Sequence, residues 1–228
     1  MAAIRAVLFD FGLVLSGPPD PVARSRMEAI LNATHSELQA AYWRHRDDYD
    51  LGVLSGVSFW RTVGEELGHP PNDDELAQLL QADVDLWTQP NQPMVDWASA
   101  LQRAGICTGI LSNMGDAMEV GVADRFPWIA QFPHRTFSHR LGIAKPDERI
   151  YRHAIADVGE PAETVLFVDD RIENVAAARA IGLRALQYAA HEDFLRELSN
   201  ADFAGLPPPS PARGGLSQSG TVMNEWVT

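Results

Sequence analysis

Three short runs, Ile4–Phe9, Ile106–Leu111 and Thr164–Val168, are almost wholly apolar and break off into polar side chains at their carboxyl ends. Strands that are apolar throughout, with no polar alternation, are buried on both faces. Weaker runs of the same kind fit around Arg135–Ser138 and Arg184–Gln187. Between them the spacing predicts helices: Ile150, Ala154, Ile155 and Val158 share one face, as do Ile172, Val175, Ala176 and Ala180. Buried strands alternating with helices imply an α/β fold, a doubly wound parallel sheet covered by helices on both sides.

The stretch from Pro21 to Leu86 breaks this pattern. It holds no strand signal, and its apolar residues recur at helical spacing. Leu38, Ala41, Tyr42 and His45 form one group, Phe59, Val63 and Leu67 a second, and Leu76, Leu79, Leu80 and Val84 a third. Trp43, Trp60 and Trp87 are expected in its small core. We read it as an α-helical cap inserted after the first strand, where it can cover the carboxyl ends of the strands. The expected organisation is a core of residues 1–16 and 88–204 and a cap of residues 17–87. A loose tail of residues 205–228, rich in Pro, Gly and Ser, has little to bury.

Charge narrows the partners. The formal net charge of −13 disfavours nucleic acid and anionic membranes. A local cation or a helix N-terminus can still hold a small phosphorylated metabolite. No uninterrupted apolar stretch approaches the roughly 20 residues that a bilayer span needs. The one cysteine, Cys107, falls in a predicted strand and reads as a small hydrophobe. With no disulfide possible within the chain, and an N-terminus unlike a signal peptide, a cytoplasmic location is expected. Nothing in the residues specifies an oligomeric state.

Four places at predicted strand ends carry reactive or ligating side chains. They are Asp10 in FDFGLVL, Ser112-Asn113, Lys145-Pro146, and Asp169-Asp170 with Asn174 one helical turn further on. Singly, each has an ordinary structural reading. Asp10 can be a turn or helix cap, Ser112-Asn113 an N-cap, and Lys145-Pro146 a surface loop whose proline opens a helix. Asp169 or Asp170 can cap the helix that begins at Arg171. Together they converge, because a parallel sheet brings successive strand ends to one crevice. The combined chemistry is coherent. Asp10 is a carboxylate nucleophile. Asp170, with Asp169 beside it, offers hard oxygen ligands for Mg²⁺. Ser112 and the backbone N–H groups after it are donors for phosphate oxygens. Lys145 is a point charge that stabilises both a phosphate and the Asp10 carboxylate, which otherwise repel.

This set, with the runs RLGIAKPDERIYRHA and FVDDRIENVAAARAIGL, resembles the haloacid dehalogenase-like (HAD) hydrolase superfamily over residues 4 to 187. Within it the chain looks most like the phosphatase branch that includes bacterial sugar-1-phosphate phosphatases. The resemblance implies an enzyme with a Mg²⁺ cofactor that hydrolyses small phosphomonoesters through an aspartyl-phosphate on Asp10. It implies that the Asp10 and Asp170 carboxylates and the Gly12 carbonyl hold Mg²⁺, with Asp169 supporting the site directly or through water. Ser112 and Lys145 would bind the phosphoryl group. Asn113 and Asn174 would orient substrate or neighbouring side chains, although a plain helix-surface position is equally open for Asn174.

One position departs from the family pattern. Family phosphatases typically carry an Asp two residues after the nucleophile, which protonates the leaving oxygen and later activates water. Here that residue is Gly12. One acid–base group is worth roughly 10²–10⁴ in rate, so slow turnover is expected. Two alternatives stand beside the phosphatase. A 2-haloacid dehalogenase-type hydrolase also uses the Asp and Lys, but it attacks carbon without a metal, and Asp169-Asp170 would repel its carboxylate substrate. A weakly active or non-catalytic regulatory binding module is favoured by Gly12 and opposed by the intact Asp10, Ser112, Lys145 and Asp170. A phosphomutase would need the acid/base that Gly12 removes. The charged run Arg44, His45, Arg46 and Asp47 in the cap is read as a solvated helix face.

Overall fold

The computed structural model of the protein describes residues 2–200, 203 and 205–210. Five strands, β1 (Ala6–Phe9), β2 (Cys107–Ser112), β3 (His134–Phe137), β4 (Val165–Asp169) and β5 (Arg184–Gln187), form one all-parallel sheet in the order β3-β2-β1-β4-β5. The chain winds outward from β1 in both directions, which puts the topological switch point at the carboxyl end of β1. Every predicted strand is present. Side chains alternate across the sheet. Val7, Phe9, Leu166 and Val168 enter one apolar layer, and Ala6, Leu8, Val165 and Phe167 the other.

Four helices follow β1: α1 (Pro21–Ile30), α2 (His35–Asp50), α3 (Gly56–Glu66) and α4 (Asp73–Trp87). Their starts are written locally. Thr34 with Glu37, and Asn72 with Glu75, form reciprocal capping boxes at α2 and α4. Trp60 and Trp87 are buried and Trp43 is half-buried, as expected. The charged face of α2 is different from its reading. Arg44 and His45 lie outside and pair with Glu66, but Arg46 is buried. Its Nε donates to Asp50 Oδ1 at 2.8 Å. Its guanidinium lies 5.3 to 6.0 Å from the ring centres of Tyr42, Trp43, Tyr49 and Trp87. A planar, weakly hydrated cation that finds a carboxylate and several aromatic faces recovers much of its desolvation penalty, which a lysine at this position would not.

The remaining helices cover the sheet: α5 (Gln92–Arg103), α6 (Asp116–Arg125), the short α7 (Ser138–Leu141), α8 (Glu148–Val158), α9 (Ile172–Ala180) and α10 (His191–Leu198). Trp97, Leu101 and Phe194 of α5 and α10 fill one layer. Ile150, Tyr151 and Ala154 of α8, with Val175 and Ala178 of α9, fill the other. α8 ends where Gly159 takes a left-handed φ of 74° that a side chain would strain. α9 turns a different face inward from the one its apolar spacing predicted. Asn174, Val175 and Ala178 are buried, while Ile172 is 54% exposed and Ala176 and Ala180 lie at the surface. The cause is Asn174, which points into the strand ends and sets the rotation of the helix.

The helices from α1 to α4 are tied back to the sheet. Where the chain leaves and returns, Ser16 and Pro90 form an antiparallel bridge, and Asn91 donates from its N–H to Leu15 O at 2.9 Å. Further out, the Met118 N–H donates to the Tyr49 hydroxyl at 3.1 Å, and the Gly56 N–H to Asp116 Oδ1 at 2.8 Å. The tail expected to be loose from residue 205 begins against the core. Trp97 Nε1 donates to Pro207 O at 2.7 Å, and His191 Nε2 sits 2.9 Å from Ser210 O. A buried indole N–H needs an acceptor, and the chain supplies one. The rest of that expectation, from residue 211 on, lies outside the described residues. Among the described residues no helix is long and apolar enough to cross a membrane.

Candidate active site

The register of the sheet assembles the site. Phe9 stands opposite Ile110 on β2 and Val168 on β4. Asp10 follows, its N–H donating to Val168 O at 2.8 Å, which places it beside Asp169 at the end of β4 and close to Ser112 at the end of β2. The chain then turns. Gly12 has φ −60° and ψ 130°, and Leu13 has φ 57°. The Leu13 N–H is held by Ser16 Oγ at 3.2 Å, which steadies a left-handed conformation unusual for leucine.

Lys145 joins the strand ends. Its Nζ lies 2.9 Å from Asp10 Oδ1 and 2.6 Å from Asp169 Oδ2, and its side chain is 1% exposed. Asn113 holds Lys145 in place: the Lys145 N–H donates to Asn113 Oδ1 at 2.8 Å, and Asn113 Nδ2 donates to Lys145 O at 3.0 Å. Asn113, expected toward the substrate, therefore has both ends of its amide on the backbone of Lys145. Asp169 is equally committed. Its Oδ1 accepts from the Arg171 N–H at 2.9 Å and from Asn174 Nδ2 at 3.0 Å, while Oδ2 faces Lys145. Asn174, for which a surface position was open, is buried and orients Asp169. The buried Ser112 hydroxyl lies beside Asp10 and favours its ionised form.

Sequence reasoning missed Ser138 and His139. Ser138 Oγ accepts the Met114 N–H at 2.9 Å and donates to Asp50 O at the end of α2, and His139 Nδ1 donates to Met114 O at 2.7 Å. Both polar groups of the Met114 backbone, two residues past Ser112, are thus fixed by side chains from α7. No local pattern marks such a contact.

Three carboxylates face one ammonium. One carboxylate oxygen each from Asp10, Asp169 and Asp170 come within 4.8 Å of one another. Burial raises the pKa of Asp10 against the opposing pull of Lys145. Burial, and then the charges of Asp10 and Asp169, push Asp170 up to about 7. Burial works against the Lys145 charge, but Asp10 and Asp169 outweigh it and hold the ammonium above the ordinary lysine range. Among the described residues no hydrogen-bond donor is aligned on the buried Asp10 Oδ1, Lys145 being near but out of line. An acidic cluster short of positive charge, with an orphaned carboxylate oxygen inside it, fits a small hard cation. Asp10 and Asp170 have oxygens to offer it. Asp169 has both of its own engaged.

This crowding has a consequence for stability. Between pH 4 and 7 the folded chain keeps the Asp170 proton that the unfolded chain releases, so raising pH through that window costs stability. Asp170→Asn removes the cost. In metal-free protein we expect the variant to melt about 3–6 °C above wild type at pH 8, from a gain of about 1–2 kcal/mol. The difference should close by pH 4, as followed by circular dichroism. Equal melting points at pH 8 would contradict this electrostatic picture.

Comparison with known proteins agrees with this geometry. A family model described as haloacid dehalogenase-like hydrolase matches residues 4–182. The sesquiterpene phosphatase astK of Aspergillus oryzae is 42% identical over 183 residues, covering 80% of this chain and 88% of the relative. Drimenol cyclase drtB of Aspergillus calidoustus is 36% identical over 219 residues, which is 93% of this chain but only 38% of the relative, so the chain spans about two-fifths of that protein. Among solved structures, the HAD family enzyme bt-2542 of Bacteroides thetaiotaomicron, in complex with magnesium and inorganic phosphate, superposes with a TM-score of 0.70 at 20% identity, covering 86% of this chain and 99% of that one. On the match over residues 4–182 and the shared fold, this chain belongs to the haloacid dehalogenase-like hydrolase family.

Proposed function

We propose that the chain is a Mg²⁺-dependent hydrolase of small phosphomonoesters that works through a phosphoryl group carried on Asp10. The observation that carries this reading is Asp10 itself, a buried carboxylate at the switch point, gripped by Lys145 inside a cluster of like charges. The fungal relative is named a phosphatase, and the bacterial HAD enzyme holds magnesium and phosphate. Both support phosphorus, not carbon, as the electrophile. A phosphorylated sesquiterpene is the first natural compound class to screen.

Asp10, Asp170 and the Gly12 carbonyl would hold the metal, which supplies charge neutralisation for the phosphate and its nucleophile. The chain's own residues do the rest. An Asp10 carboxylate oxygen attacks phosphorus, the new O–P bond forms, and the bond to the leaving oxygen breaks with its electron pair. Lys145 keeps Asp10 aimed and, with Ser112, binds the phosphoryl oxygens. Water then attacks phosphorus and the Asp10–phosphorus bond breaks. One water proton stays on the phosphate and the other ends on the departed oxygen, which restores Asp10 as a carboxylate. Asp169 and Asn113 fix Lys145 throughout. An unpaired Cys107 fits a reducing, cytoplasmic setting.

The test is hydrolysis of p-nitrophenyl phosphate with Mg²⁺ or with EDTA. We expect phosphate release with Mg²⁺ and none with EDTA. Metal-independent chloride release from 2-chloropropionate would move the chain to dehalogenase chemistry. Magnesium binding without any phosphate release would make it a regulatory module.

A further inference from the structure

The lack of a side chain at position 12 is not imposed by the backbone or by packing. Gly12 has φ −60° and ψ 130°, values open to any residue, and a Cβ built there meets nothing within 4 Å. An aspartate would stand there without strain, two residues beyond the nucleophile. The neighbouring groups among the described residues are otherwise committed, Asp170 as one of the carboxylates offered to the metal. Asp169 accepts on both oxygens. Lys145 is shared between Asp10 and Asp169. The Tyr151 hydroxyl donates to Asn174 O at 3.1 Å. On the α2 side, Asp50 faces Arg46. His139 is engaged by Met114 O through Nδ1, with Nε2 3.2 Å from Glu119.

The geometry points to a restricted substrate class for this site: phosphoanhydrides, acyl phosphates and aryl phosphates, whose leaving oxygen departs without a proton, with alkyl phosphates turned over poorly. The inference rests on the hydrolase reading above and narrows it. In the first step the P–O bond to the leaving group breaks, the electron pair goes with the oxygen, and no protein proton follows it. The leaving anion takes its proton later from solvent. A carboxylate leaving group (conjugate acid pKa about 4) or a phenolate (about 10) can depart in this way. An alkoxide, whose conjugate acid is nearly as weak as water at about 16, is a far poorer anion.

The experiment is a leaving-group series on the full chain with Mg²⁺: acetyl phosphate, p-nitrophenyl phosphate, phenyl phosphate and butyl phosphate, with Gly12→Asp and Gly12→Ala alongside. We expect kcat/KM of the wild type to fall by at least about a hundredfold from p-nitrophenyl to butyl phosphate, the range that a missing acid accounts for. Gly12→Asp should raise the ratio of butyl phosphate to acetyl phosphate turnover by about tenfold or more over Gly12→Ala, which fills the same space without a proton. A wild-type series flat within about tenfold overturns the inference while the hydrolase reading stands, because a proton donor must then be at work. No Asp10-dependent turnover of any member, acetyl phosphate included, overturns both.

Discussion

Asp10→Asn is expected to lower p-nitrophenyl phosphate turnover by at least about 10⁴, as loss of the nucleophile does in other covalent mechanisms. Asparagine keeps the shape and leaves an oxygen for Lys145 at its present 2.9 Å, so the loss reports chemistry and not collapse. It also removes from the crowded cluster a carboxylate whose pKa burial has raised. The variant should therefore melt no lower than wild type at pH 8 without metal, and should bind Mg²⁺ more weakly. A second readout separates the nucleophile from a mere ligand. Acid-quenched wild type incubated with acetyl phosphate should carry one added phosphoryl group by intact-mass measurement, and Asp10→Asn should carry none. A variant that retains activity within tenfold of wild type, or that still becomes phosphorylated, would remove Asp10 from the centre of the reaction.

Much of this centre is legible in the chain because its positions are set by backbone rules. Apolar strands in a parallel sheet put their carboxyl ends together, so Asp10, Ser112, Lys145 and Asp169 could be brought to one crevice before any distance was known. What stayed hidden depends on where a particular side chain turns. Asn113 reads as a substrate ligand until its amide is seen gripping the Lys145 backbone. Arg46 reads as solvated because arginine usually is. Only the convergence of Asp50 and four aromatic rings from α2 and α4 makes its burial affordable. Ile172 reads as core by spacing, but the polar bond from Asn174 to Asp169 overrides the apolar stripe and rotates α9. Ser138 and His139 act across the fold on Met114, where hydrophobic periodicity carries no information.

Lys145 is the residue on which stability and function meet, and Lys145→Met separates them. The side chain is buried, with carboxylates at 2.9 and 2.6 Å. Removing one partner of a buried ionic group leaves uncompensated charge and costs about 3–5 kcal/mol, so Lys145→Met should be strongly destabilised at pH 8. Its loss of activity should be about 10²–10³, in line with removing one preorganised charge from a phosphoryl site. Lowering pH should recover part of the stability. Without the ammonium nothing offsets the burial that raises the Asp10 pKa, so Asp10 holds a proton more readily in the folded state than in the unfolded chain and protonation then favours folding. The double variant Lys145→Met, Asp169→Asn should be more stable at pH 8 than Lys145→Met alone by about 1–3 kcal/mol, because one stranded charge is gone. Its activity should not return, since the ammonium that faces the phosphate is still missing. If the single variant melts like wild type at pH 8, or if the double variant gains no stability over it, Lys145 is not balancing buried charge. If the double variant regains turnover, Lys145 acts only by compensating Asp169, and the phosphoryl group is bound by other residues.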